Sequence, residues 1–512
     1  MGFEIEVFND QNLNSDFLDW LVEEKSPDIA GHFNKLWEYY TNRTVETSSI
    51  GASGRKVNES GRCYIQAQEY GLPARITGLN HCGGMFFGGE AVSDISRKEV
   101  VIENDIAWRI NAAMDFLFGK MVRFVSLCSD EKKRAEIEAI LNAVFSANGQ
   151  IGFFQDMVVL ASVYGFVDCI VRPDEIISAR SIGQAHLNNH TPVPFEEVLD
   201  MAKAIDLELI EAPRALPVLE ESDYRKIRYY VQHFVQKKNS VNRKNTFLSR
   251  LTGSHKRASD SRDTVAVTEI ISPNHWQRYE DKQLVSEGEL PWGFLPVVHI
   301  QNIAQPYYYE GISDVEPLIP LQDELNTRLS DRANRITFQS FKMYLGKGIE
   351  GFENRPISPG RMWCTDNPQA SIEEFGGDSS NLSEDAHIAE IREAMDKASS
   401  VTPVVAGVLK NKLGNLTSAV ALRLTMMGML SKNERKRFTY GQGIKRISEM
   451  ILSILDKARI YPTEASQREI EVVFPNPLPE DSMEKLKEAQ IKKELGVPAG
   501  EVLKELGYHG VV

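Results

Sequence analysis

Apolar residues recur at three- and four-residue intervals along several stretches of the chain. The clearest follows Gly311-Ile312-Ser313-Asp314, where Leu318, Leu321, Leu325, Leu329, Ala333 and Ile336 share one helical face. The pattern predicts a helix beginning at Gly311 and running for about 28 residues, roughly 40 Å at 1.5 Å per residue. That exceeds what an ordinary core requires and suits a rod packed against copies of itself. From Phe341 to Gly377 the periodicity stops. Gly346, Gly348, Gly351, Pro356, Pro359, Gly360, Pro368, Gly376 and Gly377 favour a small strand-and-turn subdomain there. Asn381 with Glu384 then marks a capped helix start, and Ala386, Ala389, Met395 and Ala398 carry that helix until Pro403 stops it. The chain therefore goes out along one helix, turns through a compact tip and returns along another. Val404 to Asn415 reads as a loop with Gly407 and Gly414. Thr417 caps a third helix, with a kink or break expected at Gly441-Gln442-Gly443.

Upstream, residues 14–45 read as helical, with Phe17, Leu21, Phe33, Leu36 and Trp37 on apolar faces, and residues 46–62 as a flexible loop. Helices are expected over 104–118 (Ile106, Ile110, Met114, Leu117, then Gly119), 130–145 and 151–164, the last stopping at Gly165. Short β-branched runs predict strands at 166–171, 227–235, 264–271, 276–279 and 295–301. Between them lies a basic stretch from Lys237 to Arg262, read as an exposed loop, with a nucleic-acid or partner contact as the alternative.

Composition adds limits. A chain of 512 residues, 42% apolar and without an apolar run of 18, can bury a large core in two to four domains and has no membrane span. The acidic start Met1-Gly2-Phe3-Glu4-Ile5-Glu6 is unlike a secretory signal, which leads to the expectation of an intracellular protein when made. Cys63, Cys82, Cys128, Cys169 and Cys364 never form a C-x-x-C pair, so reduced thiols are expected. The formal net charge of −14 is opposite to that of a protein that grips DNA statically. Such a chain either avoids nucleic acid or lets a polyanion pass without sticking, with a few local cations.

Catalytic signatures are missing. There is no G-x-x-x-x-G-K-[ST] loop, no H-E-x-x-H and no G-x-S-x-G. Gly83-Gly84 and Gly88-Gly89 lack phosphate-loop spacing, and His81, Cys82 and Cys63 lack further ligands at a familiar spacing. No enzyme activity, metal or cofactor is expected. Met426, Met427 and Met429 read as packing rather than a cofactor site.

Taken in order, several strings resemble the portal proteins of tailed bacteriophages, of the kind found in long-tailed phages and gene transfer agents. They are Asn111-Ala-Ala-Met-Asp-Phe-Leu-Phe-Gly-Lys-Met-Val122, Leu295-Pro-Val-Val-His-Ile-Gln-Asn302 with Gly311-Ile-Ser-Asp-Val315 and Leu321-Gln-Asp-Glu-Leu-Asn326, and Asn415-Leu-Thr-Ser-Ala-Val-Ala-Leu422 with Lys432-Asn-Glu-Arg-Lys-Arg-Phe438. The resemblance covers roughly residues 100–460. It implies an α+β, mainly α protomer of a ring of about twelve copies around a DNA channel. Its parts would be an N-terminal region beside the wing (1–100), an α/β wing (101–310), a first stem helix (311–341), a small α/β clip (342–378), a second stem helix (379–402), a tunnel loop (403–416), a kinked helix (417–460) and a helical crown (461–512). The ring would sit in the virion at one capsid vertex. It would be the channel for packaging and ejection and would meet the terminase large subunit, a head–tail adaptor or connector, and the major capsid and scaffolding proteins, with no membrane contact.

Within that scheme Lys410, Asn411, Lys412 and Asn415 of the tunnel loop would contact DNA, the lysines meeting phosphates singly and without base contacts. Arg328, Arg332 and Arg335 share a helical face and would line the channel; alternatively Glu324 with Arg328 and Asp331 with Arg335 are i,i+4 pairs that steady the helix. Trp363, with Arg361 and Glu353, would form the clip's docking surface, the tryptophan either filling the tip's small core or awaiting a partner. Two other readings stand beside this one: a head-completion or minor capsid protein, and a nucleic-acid-processing motor subunit.

Overall fold

The computed structural model describes residues 3–11, 13–41, 101–183, 193–237, 264–340, 343–348, 368–375, 382–401, 403, 424–477, 482–498 and 502. In chain order the helices are α1 (Ser15–Trp20), α2 (Ser26–Thr41), α3 (Asp105–Phe118), α4 (Glu131–Ala147), α5 (Ile151–Tyr164), α6 (Glu175–Gly183), α7 (Phe195–Ala202), α8 (Ile319–Ser340), α9 (Leu382–Ser399), α10 (Met427–Lys457) and α11 (Ser482–Glu494). The strands are β1 (Arg123–Ser126), β2 (Phe166–Pro173), β3 (Ile205–Ile210), β4 (Ala215–Glu220), β5 (Asp223–Lys237), β6 (Thr264–Ile271), β7 (His275–Glu280), β8 (Gln283–Glu289), β9 (Val297–Gln301), β10 (Met343–Lys347), β11 (Ser371–Phe375) and β12 (Ile470–Val473). The chain divides into two compact units, one of residues 1–34, 110–313 and 423–512, the other of residues 35–109 and 314–422.

In the larger unit an antiparallel meander β4-β5-β6-β7-β8 accompanies a three-stranded sheet in which β2 is central, with Asp168 opposite Ile210 of β3 and His299 of β9. α5 is apolar over most of its surface and largely enclosed: Phe154, Met157, Val158 and Ala161 are fully buried, and Asp156 marks its one exposed position. They share one core with Ile140 and Val144 of α4, Val167 and Val171 of β2, and Ile444, Ile447, Ile451 and Leu455 of α10. Each such aliphatic side chain contributes about 1.5–3 kcal/mol on burial. A second core joins Phe3, Ile5, Phe8, Leu18 and Leu21 to Leu216, Val231 and Tyr279 of the meander, and the Tyr279 hydroxyl donates to Glu4 O at 2.7 Å. The N-terminal segment is thus an integral part of this unit.

Local chemistry explains most boundaries. Asp130 caps α4 by accepting from the Lys132 and Lys133 amides. Gly165 ends α5 at φ 95°, and a Cβ there would collide with Gly311 O. That close approach also corrects the expected start of the long helix. Gly311 to Ser313 are held outside any helix: Ile312 N donates to Ile303 O at 3.0 Å, Asn302 Nδ2 to Ile312 O at 2.9 Å and Ser313 Oγ to Val163 O at 2.6 Å. A 3-10 turn at Glu316–Leu318 follows, and α8 begins only at Ile319.

A second correction concerns α10. Its 31 residues run uninterrupted through Gly441-Gln442-Gly443. The glycines serve packing: a Cβ on Gly443 would lie 2.5 Å from Ile300 Cγ1, so their absence lets α10 lie close on β9. A third correction is at the C-terminal end. The region beginning at 461 opens with a 3-10 turn (Ala465–Arg468) and β12, paired antiparallel to β1 (Phe124 opposite Val472), and becomes α-helical only at α11.

In the smaller unit α8 and α9 pack together, burying Leu318, Leu325 and Leu329 on one side and Ile388, Ile391 and Met395 on the other. Ala386 and Ala389, expected to carry the second helix, are exposed. The predicted stripe on α8 splits: Leu325 is fully buried within the subunit, while Ile336 is 55% exposed. Residues 101–105 lie along α8 through a polar ladder. Gln322, Asn326 and Ser330, one helical turn apart, accept from the backbone amides of Asp105 (3.1 Å), Glu103 (3.0 Å) and Val101 (3.0 Å). The Tyr39 hydroxyl donates to Asp323, and Arg109 bridges Asp105 and Asp396. The insert's ends form a two-stranded sheet, Met343 opposite Phe375.

Candidate channel and docking residues

The three arginines proposed for the channel lie on α8, and each meets a carboxylate. Arg328 Nε donates to Glu324 Oε1 at 2.7 Å and reaches Asp331 Oδ2 at 3.5 Å. Arg332 pairs with Asp385 at 3.0 Å, and Arg335 pairs with Glu384. Of the two i,i+4 pairs the spacing predicts, Glu324–Arg328 is present, while Asp331 lies within reach of Arg328. Arg335 instead reaches across to α9, because packing places the first turn of α9 beside the last turns of α8. The Arg328 hydrogen bond holds the Glu324 carboxyl below the usual range, with His387 adding to the effect and partial burial opposing it. Three guanidinium groups thus face four carboxylates, an arrangement that stitches two helices and has little net attraction for phosphate.

Lys410, Asn411, Lys412 and Asn415 lie outside the described residues, as do Trp363, Arg361 and Glu353. So do Cys63, His81 and Cys82, and nearly all of the basic stretch after Lys237. Of the methionines, Met426 and Met429 are buried and Met427 is 59% exposed. Among the described residues no group of three or more potential metal ligands converges, and no helix is long and apolar enough to cross a membrane.

Two buried polar clusters escape sequence reading. In the first, Lys436 Nζ donates to Ser162 Oγ at 2.9 Å, and Ser162 and Tyr440 converge on Asn302 Oδ1 at 3.3 and 2.9 Å. A serine–lysine pair is a nucleophile in other settings. Here Ser162 and Asn302 are fully enclosed, so no substrate reaches them and the network fixes the core. In the second, Asp168 accepts from Tyr230 (2.8 Å) and Tyr309 (2.9 Å) and meets His299 Nδ1 at 2.7 Å. Burial, reinforced by the Asp168 charge, pushes both tyrosine hydroxyls well above their ordinary range and keeps them protonated as donors.

Residues 199–506 match the profile of the phage portal proteins described as SPP1 Gp6-like, a span that takes in both paired helices, the insert between them and α10. More than half of the chain is covered. The chain belongs to the SPP1 Gp6-like phage portal protein family. As a portal protein it is a structural component of a phage particle rather than an enzyme. The match extends past 460 into the C-terminal region, where the recognisable sequence strings had ended. No individually curated protein shows a significant sequence match. Solved structures similar to the portal chain include one from the virion of a native gene transfer agent particle, at 11% identity, 79% of this chain, 90% of that chain and a TM-score of 0.42. Another comes from the neck of an empty gene transfer agent particle computed with C6 symmetry, at 12% identity, 80% and 91% coverage and a TM-score of 0.43. At that similarity the family assignment rests on the sequence match alone.

Proposed function

We propose that this portal protein forms a ring of about twelve copies at one vertex of a virion, through which double-stranded DNA enters during packaging and leaves at ejection. The observation that carries the reading is the family match over both α8 and α9, the insert and α10. The charge distribution supports it. A net charge of −14 keeps the surface from holding a polyanion, so DNA is guided by few cations. The arginines of α8 are neutralised by carboxylates, which leaves Lys410 and Lys412, flanked by Asn411 and Asn415, as the phosphate contacts of a loop between α9 and α10. Single lysine–phosphate contacts are independent of sequence and weak enough for sliding.

The insert closed by β10 and β11 is the docking surface for the packaging motor and afterwards for a head–tail connector, with Trp363 as anchor and Arg361 and Glu353 beside it. A compact element at the end of two helices is exposed and can exchange partners. Capsid and scaffolding proteins hold the ring at its vertex. Particles assembled without the chain are expected to contain no DNA; filled particles would overturn the reading.

A further inference from the structure

The start of β5, strand β9 with the residues before it and the C-terminal half of α10 border an open hollow of about 360 Å³ in the larger unit. Apolar Ile227, Phe294 and Met450 line it together with basic Arg225, His299 and Arg446. The one carboxylate among its lining residues, Glu449, faces Lys445 at 3.8 Å. Among the described residues Arg446 meets no carboxylate, and the Arg225 guanidinium donates to the Tyr224 hydroxyl at 3.1 Å, while the Arg225 backbone amide donates to Asp223 at 3.0 Å.

An aromatic loop adjoins the cavity. Tyr307 is 84% exposed and Tyr308 57% exposed, and the Tyr307 ring lies 6.4 Å from that of Tyr224. Tyr307 holds φ at 69°, a left-handed conformation unfavourable for an aromatic residue. The neighbouring backbone is pinned: Tyr309 O accepts from His299 Nε2 at 2.8 Å and from Gln301 Nε2 at 2.9 Å, while Tyr308 O accepts from Gln301 at 3.1 Å. The fold thus keeps an unfavourable backbone in order to present two tyrosines to solvent. Exposed tyrosine and arginine around an apolar hollow have the composition of a protein interface.

The complementary surface is on the same unit. α1, the turn after it (Leu21–Lys25) and the first turn of α2 present Asp16, Glu24 and Asp28, all exposed and without an ion pair among the described residues. Between them Phe17 and Trp20 are 36% and 42% exposed, their rings 5.6 Å apart. Because both patches are open within a single chain, neither covers the other there. Two different, complementary patches on one protomer make a head-to-tail contact, and such a contact closes into a ring when its rotation permits.

We infer that the cavity bordered by Arg225 and Arg446, with the Tyr307–Tyr308 loop, receives α1 of a second copy of this chain. Asp16 of α1 and the acids just after it, Glu24 and Asp28, meet the two guanidinium groups, and Phe17 and Trp20 cover Ile227, Phe294 and the tyrosines. This rests on the ring reading above and names one of its contacts.

The test uses the full-length chain and native mass spectrometry at physiological salt. Arg225→Glu with Arg446→Glu places like charges across the contact and is expected to weaken ring formation at least about tenfold. Thermal unfolding of the protomer should not move, since these side chains hold no ion pair within it. Asp16→Arg with Glu24→Arg should do the same, and an equimolar mixture of the two variants should recover mixed assemblies. Wild-type rings together with unaltered rings of Arg225→Glu/Arg446→Glu overturn the inference alone. Variant rings that form normally but lose affinity for duplex DNA also overturn it, assigning the arginines to phosphate. A wild-type chain that stays monomeric overturns the ring reading and this inference with it.

Discussion

Leu325 offers the sharpest test of how α8 is used. From sequence, its stripe required a partner surface, and a rod in a ring would find much of that surface on neighbouring subunits. The structure buries Leu325 completely inside its own subunit, in the helix pair whose other half contributes Ile388, Ile391 and Met395. Removing the side chain to Cβ loses its transfer free energy and leaves a cavity that rigid helices fill only partly, about 3 kcal/mol in all. For a unit of this size that lowers the melting temperature by roughly 6–12 °C. Leu325→Asp costs more, because the carboxylate is enclosed without a partner. Ile336→Asp, about three turns further along and half exposed, should leave protomer unfolding within about 0.5 kcal/mol and act only on assembly. Calorimetry on each variant, run beside native mass spectrometry, separates the two effects. A Leu325→Ala protein that melts like wild type, or a Leu325→Asp protein that still forms rings of normal mass, would refute the reasoning.

Four further outcomes are expected. Gly443→Val brings a side chain into Ile300 and should destabilise the larger unit by about 1–3 kcal/mol, partly relieved by Ile300→Ala, as chemical denaturation would record. The depressed Glu324 acidity contributes stability that is present above its unfolded value and lost as pH falls through the lower folded one. Unfolding followed between about pH 6 and pH 3 should therefore show a loss of at most about 1 kcal/mol that Glu324→Gln abolishes. Lys410→Glu with Lys412→Glu should leave rings intact but shorten packaged DNA or impair its retention, read as genome length in particles across salt concentrations. Replacing residues 346–373 by a short linker should keep the ring and abolish packaging, measured as DNA-filled particles.

Where local chemistry sets the structure, the sequence was a good guide. The helix ending at Gly165, the helix starting at Asp130 and the β-branched runs of β2 and β6 all lie where spacing and residue type place them. Failures occur where a distant segment decides. Gln322, Asn326 and Ser330 look like a solvent face, yet all three are buried because they accept the backbone amides of residues 101–105. Gly441 and Gly443 look like a break, but Ile300 gives Gly443 a packing role. β1 and β12 are four residues each and stable only as a pair separated by most of the chain, while β8 (Gln283–Glu289) is a largely polar edge strand. The arginines of the candidate channel were found in sequence, but their carboxylate partners on α9 follow from helix packing that periodicity alone does not encode.

Electron microscopy of the purified full-length chain tests the central claim most directly. The account predicts closed rings, about twelvefold, with an axial opening wide enough to pass a DNA duplex. Monomers, open filaments, or closed assemblies without an axial opening would contradict it.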